Sequence, residues 1–137
     1  MRQEDAFQLP MFAISEPLTD RATSQFATTG LRHDVGKIRL DLIPPEWVMN
    51  LGSVLTAGAN KYADRNWELG MAWSKVWGPL LRHAFKWLLG EQYDKETGCH
   101  HMAHVAWNAL ALMSYQTRGL GTPDIPAWRA ADESDTE

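Results

Sequence analysis

The sequence predicts an all-α fold: a small antiparallel helical bundle with an irregular N-terminal arm, completed by oligomerisation. Three observations carry this. Apolar residues recur at spacings of three and four over three separate segments, the period of one helix face. Proline and glycine fall where those segments begin and end. A chain of 137 residues with 45% hydrophobic and 22% charged content is one ordinary globular domain.

Residues 1–30 contain Pro10, Pro17 and a Thr/Ser-rich stretch ending at Gly30, without a sustained period, and read as the irregular arm. Residues 35–42 alternate, with Ile38, Leu40 and Leu42 on one side and Lys37, Arg39 and Asp41 on the other, which predicts a short extended piece with a charged face. Pro44-Pro45-Glu46 opens the first helix, because proline suits the first turn and an acid there complements the helix dipole. Trp47, Leu51, Val54, Leu55 and Gly58 carry that helix to about residue 62. A loop from Lys61 to Gly70 leads to Ser74, the expected N-cap of the second helix. There Trp77, Leu80, Leu81, Ala84 and Leu88 share a face. Pro79 is expected to delay or kink this helix, and Gly90 to stop it. The third helix is expected from about Thr97 to Arg118, ending at Gly119, with Met102, Val105, Ala106, Ala109, Leu112 and Met113 as its apolar stripe. Residues 31–120 thus form the helical domain and 121–137 an acidic C-terminal tail. Three helices make a thin bundle, so a homo-oligomer, dimer or tetramer, is expected through faces that carry several of the seven tryptophans.

Charge narrows the partners. The net charge is −4, with −2 on residues 1–30 and −3 on 129–137, leaving +1 for the middle. A duplex nucleic-acid binder shows a clear basic excess, so no duplex partner is expected, whereas a small anion held by a few cations is. No run of 18 apolar residues and no basic-then-apolar leader appears, so neither a membrane partner nor a signal peptide is expected. The single cysteine, Cys99, reads as a small buried residue and fits a reducing cytosol, which gives a cytoplasmic location.

Candidate chemistry concentrates around the third helix. Thr97, His101, His104 and Asn108 fall at i, i+4, i+7 and i+11, one face of a helix. This polar row on an otherwise apolar helix must meet water, a partner or a ligand. Just upstream, Glu91, Asp94 and Glu96 lie within six residues of one another and, with the neighbouring imidazoles, form a candidate Mg²⁺ or Mn²⁺ set; the competing reading is an acidic turn that caps the next helix. Glu91, Asp94 and His104 are the candidate catalytic groups. Arg82 and Lys86 stand one turn apart with His83 beside them, Lys37 and Arg39 lie on the extended piece, and Lys61 and Arg65 flank the loop. Cations converging on one cleft are what a triphosphate or a cyclic phosphodiester requires. Tyr62, Asn66 and Trp67 share that loop, and the two aromatic rings offer stacking surfaces for a base. No glycine-rich phosphate loop is present.

The ordered string Lys37-x-Arg39-x-Asp41-Leu42-Ile43-Pro44, Gly58-Ala59-x-Lys61-Tyr62, Asn66-Trp67, Arg82-His83, Gly90-Glu91-x-x-Asp94-x-Glu96-Thr97-Gly98 and His101-x-x-His104-x-x-x-Asn108 resembles a phage-borne, MazG-like family named for the amino-terminal part of dATP/dGTP diphosphohydrolase. The resemblance spans roughly residues 35–116. It implies an all-helical fold and a nucleotide ligand. For MazG-like pyrophosphohydrolases it also implies Mg²⁺ or Mn²⁺ held by carboxylates in an ExxE pattern on one helix and an ExxD pattern on the next. Glu91-Gln92-Tyr93-Asp94 fits the second pattern by spacing. The second helix carries Arg82, His83 and Lys86 where the first would be. Two functions follow from this: a metal-dependent pyrophosphohydrolase of purine (deoxy)nucleoside triphosphates in the host cytoplasm, or a non-catalytic sponge that sequesters an immune signalling nucleotide as an anti-defence protein. A purely structural role for the polar row is the third.

Overall fold

The computed structural model describes residues 29–128. The N-terminal arm, up to residue 28, and the acidic tail, from residue 129, lie outside them. The structure divides between Ile43 and Pro44 into two compact units.

In the first unit, the alternation at 35–42 does not make an extended piece. Lys37 N–H donates to Asp34 O at 3.1 Å, closing a turn, and Leu40–Leu42 form a short 3₁₀ helix. Ile38, Leu40 and Leu42 are all exposed. Alternation needs a neighbouring strand to complete its hydrogen bonds, and no strand occurs among the described residues. The charges pair locally instead: Arg39 donates twice to the Asp41 carboxylate, at 2.7 and 2.6 Å.

The second unit holds three helices, α1 (Pro45–Lys61), α2 (Ser74–Leu88) and α3 (His101–Arg118). α3 packs against both others, more extensively against α2. Proline opens α1 as expected. α2 starts at Ser74 and runs through Pro79 without interruption. Ser74 is not its N-cap: Trp73 holds that position. The Ser74 N–H and hydroxyl both donate to the Asp124 carboxylate, so the cap comes from fifty residues downstream, beyond the reach of local sequence rules. Gly90 and Gly119 follow α2 and α3 at φ +99° and +66°, the left-handed turn that ends helices.

α3 begins at His101, four residues later than the expected start at Thr97. Gly98 sits at φ +72°, which a helix cannot contain. His100 is the N-cap, its Nδ1 accepting the Met102 N–H at 3.0 Å. Residues 91–100 therefore form a loop, closed by a bridge between Tyr93 and His100.

The apolar core is small. Val76, Ala111 and Tyr115 are buried together, with Trp67, Met71, Trp73, Trp107, Leu112 and Leu120 packed around them. The Tyr115 hydroxyl donates to Trp67 O at 2.6 Å, which satisfies a polar group that burial would otherwise penalise. The segment after α3 is stitched to the one before α2: Trp73 N–H donates to Thr122 O, Thr122 N–H donates to Met71 O, and the Trp73 indole donates to Leu120 O. Trp47, Trp77 and Trp87 stay 66%, 42% and 47% exposed, so the faces offered for an oligomer lie at the surface of this single copy. No helix among the described residues is long and apolar enough to cross a membrane.

Candidate functional site

A cavity of about 290 Å³ opens between the C-terminal half of α1, the following loop, and the facing sides of α2 and α3. One wall is apolar, with Val54, Leu55, Met71 and Trp107. The other is polar, with Arg82, His83, Lys86, Asp94, Thr97 and His104.

The polar wall is organised by the loop that precedes α3. Asp94 is 8% exposed, and its Oδ2 accepts the Thr97 N–H and the Thr97 hydroxyl, both at 2.9 Å. Gly98 N–H donates to Asp94 O, and Asp94 N–H donates to Cys99 O, both at 2.8 Å. An Asp followed three residues later by Thr and then Gly is a compact turn of this kind. Its result is one carboxylate held against three imidazoles.

His101 is fully buried and His104 is 8% exposed. Such residues tolerate burial only with partners. His101 Nε2 lies 3.0 Å from Glu91 Oε1, and its Nδ1 lies 2.8 Å from His83 Nδ1. His104 Nε2 lies 2.7 Å from Thr97 Oγ1, and its ring stacks on His83 with centroids 4.1 Å apart and planes 3° from parallel. His83, Asp94 and His101 each offer a ligand atom within 4.8 Å of the others. Two imidazoles and a carboxylate are a donor set for a divalent transition metal, Mn²⁺ or Zn²⁺, better than for Mg²⁺, which takes oxygen ligands.

The electrostatics keep the His83 and His104 rings neutral and the Glu91 and Asp94 carboxylates charged. Burial, and then the neighbouring His104, push the His83 pKa down to about 4. Burial also lowers His104. The Asp94 carboxyl is held below its usual value by the Thr97 hydrogen bonds, against the opposing effect of burial, and Glu91 is lowered chiefly by His101. A pH dependence follows. An unfolded chain protonates His83 near its ordinary value of 6.5, whereas the folded chain refuses the proton down to about 4. Between those values the unfolded state binds more protons, so stability falls as pH drops through that window and is insensitive to this group above it. Thermal melts from pH 7.5 to 4.5 are expected to show a steeper decline for the metal-free wild type than for His83→Gln. Equal slopes refute this.

The other candidate residues sort themselves around this cluster. Lys61 and Glu96 form an exposed ion pair at 2.7 Å, so Glu96 is turned toward α1 and stands outside the His–Asp group. Arg82 and Lys86 line the cavity, neither within ion-pairing range of a carboxylate among the described residues. Arg65 lines it too, paired with Glu68 at 3.3 Å. Tyr62 is an exposed edge of the cavity. Asn66 opens a 3₁₀ turn, Asn66–Leu69; Trp67 packs edge-on against Trp107, 6.4 Å between centroids. Asn108 is 3% exposed and donates to His104 O of its own helix. Lys37 and Arg39 belong to the first unit, paired with Asp34 and Asp41. Cys99 is half-buried, its N–H on Thr97 Oγ1. Glu91 and Asp94 sit on the loop, not on a helix as the ExxD pattern implies. Sequence reasoning places Thr97 in the polar row but assigns it no role at the site, although its spacing from Asp94 carries the signal for the turn that joins them. It also passed over Val54, Met71 and Trp107, which periodicity cannot separate from core.

The profile of the family described as "dATP/dGTP diphosphohydrolase, N-terminal" matches residues 27–124. A protein named dATP/dGTP diphosphohydrolase, from Salmonella phage PMBT28, is 33% identical over 103 residues, which is 75% of this chain and 35% of the relative. The chain thus matches about a third of that relative's length. No solved structure matches.

Proposed function

The chain belongs to the dATP/dGTP diphosphohydrolase N-terminal family, and from that premise we propose that its cavity binds a purine deoxynucleoside triphosphate and hydrolyses it to the monophosphate and pyrophosphate. The supporting observation is the pairing of two features in one cavity. A His83–Asp94–His101 donor set shares the cavity with Arg82 and Lys86, neither of them ion-paired among the described residues.

In this reading Arg82 and Lys86 bind the phosphate chain, with Lys61 and Arg65 able to join by exchanging their carboxylate partners for phosphate oxygens. The apolar wall and Tyr62 receive the base. His83, Asp94 and His101 hold a divalent cation, Mn²⁺ by donor type, which when bound polarises a phosphoryl oxygen and lowers the pKa of water. His104, lowered by burial, is neutral and takes a proton from the attacking water. Water adds to the α-phosphorus, the bond to the bridging oxygen breaks, and pyrophosphate leaves. A homo-oligomer that covers Trp47, Trp77 and Trp87 belongs to the same proposal.

Incubation of the purified chain with dATP or dGTP and Mn²⁺ is expected to release monophosphate and pyrophosphate in equal amounts, and EDTA to stop it. Tight nucleotide binding without cleavage, for every common nucleotide and several divalent metals, refutes hydrolysis and returns the chain to sequestration.

A further inference from the structure

We propose that Glu91 and Thr97 are positioning residues that fix the tautomers of the two buried histidines of α3, so that His101 and His104 both carry their proton on Nε2 and keep a bare Nδ1. The inference deepens the reading above and depends on it only for its catalytic consequence.

The argument is one of hydrogen-bond valence. The Thr97 hydroxyl has one hydrogen and two lone pairs. Three groups lie on it: Asp94 Oδ2 at 2.9 Å, His104 Nε2 at 2.7 Å and Cys99 N–H at 3.2 Å. A carboxylate oxygen offers lone pairs only, so Asp94 takes the single hydrogen. The Cys99 N–H can only donate and takes one lone pair. The lone pair that remains faces His104 Nε2, which therefore carries the proton. The reverse assignment sets lone pairs of Thr97 and Asp94 against each other at 2.9 Å, around a carboxylate only 8% exposed, where an unsatisfied contact is most costly.

The same reasoning applies to His101. Glu91 Oε1 accepts, so His101 Nε2 donates across 3.0 Å. Its Nδ1 is then bare, and His83 Nδ1, 2.8 Å away, must supply the hydrogen between them. His83 is thereby held in the opposite form, protonated on Nδ1, which free histidine disfavours. Two carboxylates thus orient three imidazoles, Glu91 by direct contact and Asp94 through Thr97.

The chemical result is a division of labour. In the metal-free chain the Nδ1 of His101 accepts the His83 Nδ1–H, and it would serve as a ligand nitrogen once a cation displaces that proton, its ring already oriented by the Glu91 carboxylate. A bare Nδ1 on His104 is a base on a ring whose other nitrogen is tied to Thr97 and whose face rests on His83. Glu91 acts through His101 in this scheme, not as a ligand itself.

Long-range ¹H–¹⁵N spectra of the metal-free full chain at neutral pH, with histidine rings assigned by single His→Gln variants, test the proposal. His101 and His104 are expected as pure Nε2–H forms and His83 as the pure Nδ1–H form, where a freely exchanging ring shows averaged shifts. Thr97→Val removes the hydroxyl at nearly constant shape and is expected to release His104 to an average while leaving His101 unchanged. Thr97→Ser restores it. Glu91→Ala is expected to release His101, and His83 with it, while leaving His104 fixed, and to weaken Zn²⁺ binding, read by calorimetry, by about ten- to a hundredfold. An Nδ1–H form of His101 or His104 in the wild type overturns the proposal, as does a folded Thr97→Val chain whose His104 is unmoved. Should Thr97→Val fail to fold, Glu91→Ala, at a side chain 29% exposed, decides by itself. The spectra need no substrate. A chain with these tautomers and no hydrolysis removes the activity and leaves the assignment standing.

Discussion

Asp94→Asn is expected to slow pyrophosphate release from dATP or dGTP by at least about 100-fold, more than the 10- to 100-fold typical of groups one shell removed from a metal. Three roles end together in this variant. Asparagine is a poor substitute for a carboxylate at a cation among His83, His101 and position 94. Its amide can present a hydrogen to Thr97, where the hydroxyl now finds a lone pair, so the anchoring of His104 is disturbed as well. The turn also loses charge-assisted hydrogen bonds, at a cost to stability of about 1–3 kcal/mol. Glu96→Gln is the informative control. It lies two residues away, but its carboxylate is 68% exposed and paired only with exposed Lys61, an arrangement worth about 0–1 kcal/mol. Initial rates and melting temperatures of the two variants check the contrast. Equal rates for Asp94→Asn and wild type would remove the cluster from the chemistry.

Gly121→Ala is expected to cost the most stability of any glycine-to-alanine change among the described residues. Gly121 has φ +73°, and a Cβ built there lies 2.2 Å from Met71 O and 3.3 Å from both Met71 C and Met71 N. The conformational strain alone is about 1–2 kcal/mol. The overlap with backbone cannot be relieved by rotating a side chain. The two segments must part, and with them go the hydrogen bonds between Thr122 and the Met71–Trp73 stretch. A loss of about 3 kcal/mol or more is expected, and a fall in melting temperature of roughly 10 °C. Gly119→Ala separates the two causes. It has φ +66° but open space around its Cβ position, so only the strain applies. Melting curves that rank Gly119→Ala as the worse variant would refute the argument.

Local rules read the helices well and the site only in part. Pro45, Gly90 and Gly119 mark ends that depend on residues within one turn, and the structure ends the helices there. The start of α3 falls after Thr97, the first residue of the polar row, because Gly98 takes the residues before His100 out of the helix. At the site, sequence grouped Glu91, Asp94 and Glu96 by proximity. The loop separates them, sending Glu91 to His101, Asp94 inward and Glu96 to Lys61. His83 was grouped with the cations of its own helix, yet its imidazole faces α3, and a contact across 18 positions leaves no periodic trace. Asn108 shares the histidine stripe but satisfies itself on its own helix. Spacing identifies which residues share a face. It does not say which of them spend their hydrogen bonds at home.

The interior between α2 and α3 is unusual in what fills it. Next to Val76, Ala111 and Tyr115, the other buried residues of α3 are His101, His104 and Asn108. The machinery and the foundation therefore occupy the same volume, and a lineage could not retune one without disturbing the other. Changes at these imidazoles would persist only on backgrounds already fortified elsewhere, since proteins hold little stability in reserve. Such a centre diversifies by paired substitutions, and its evolutionary record should be written as epistasis between α3 and the helices that flank it.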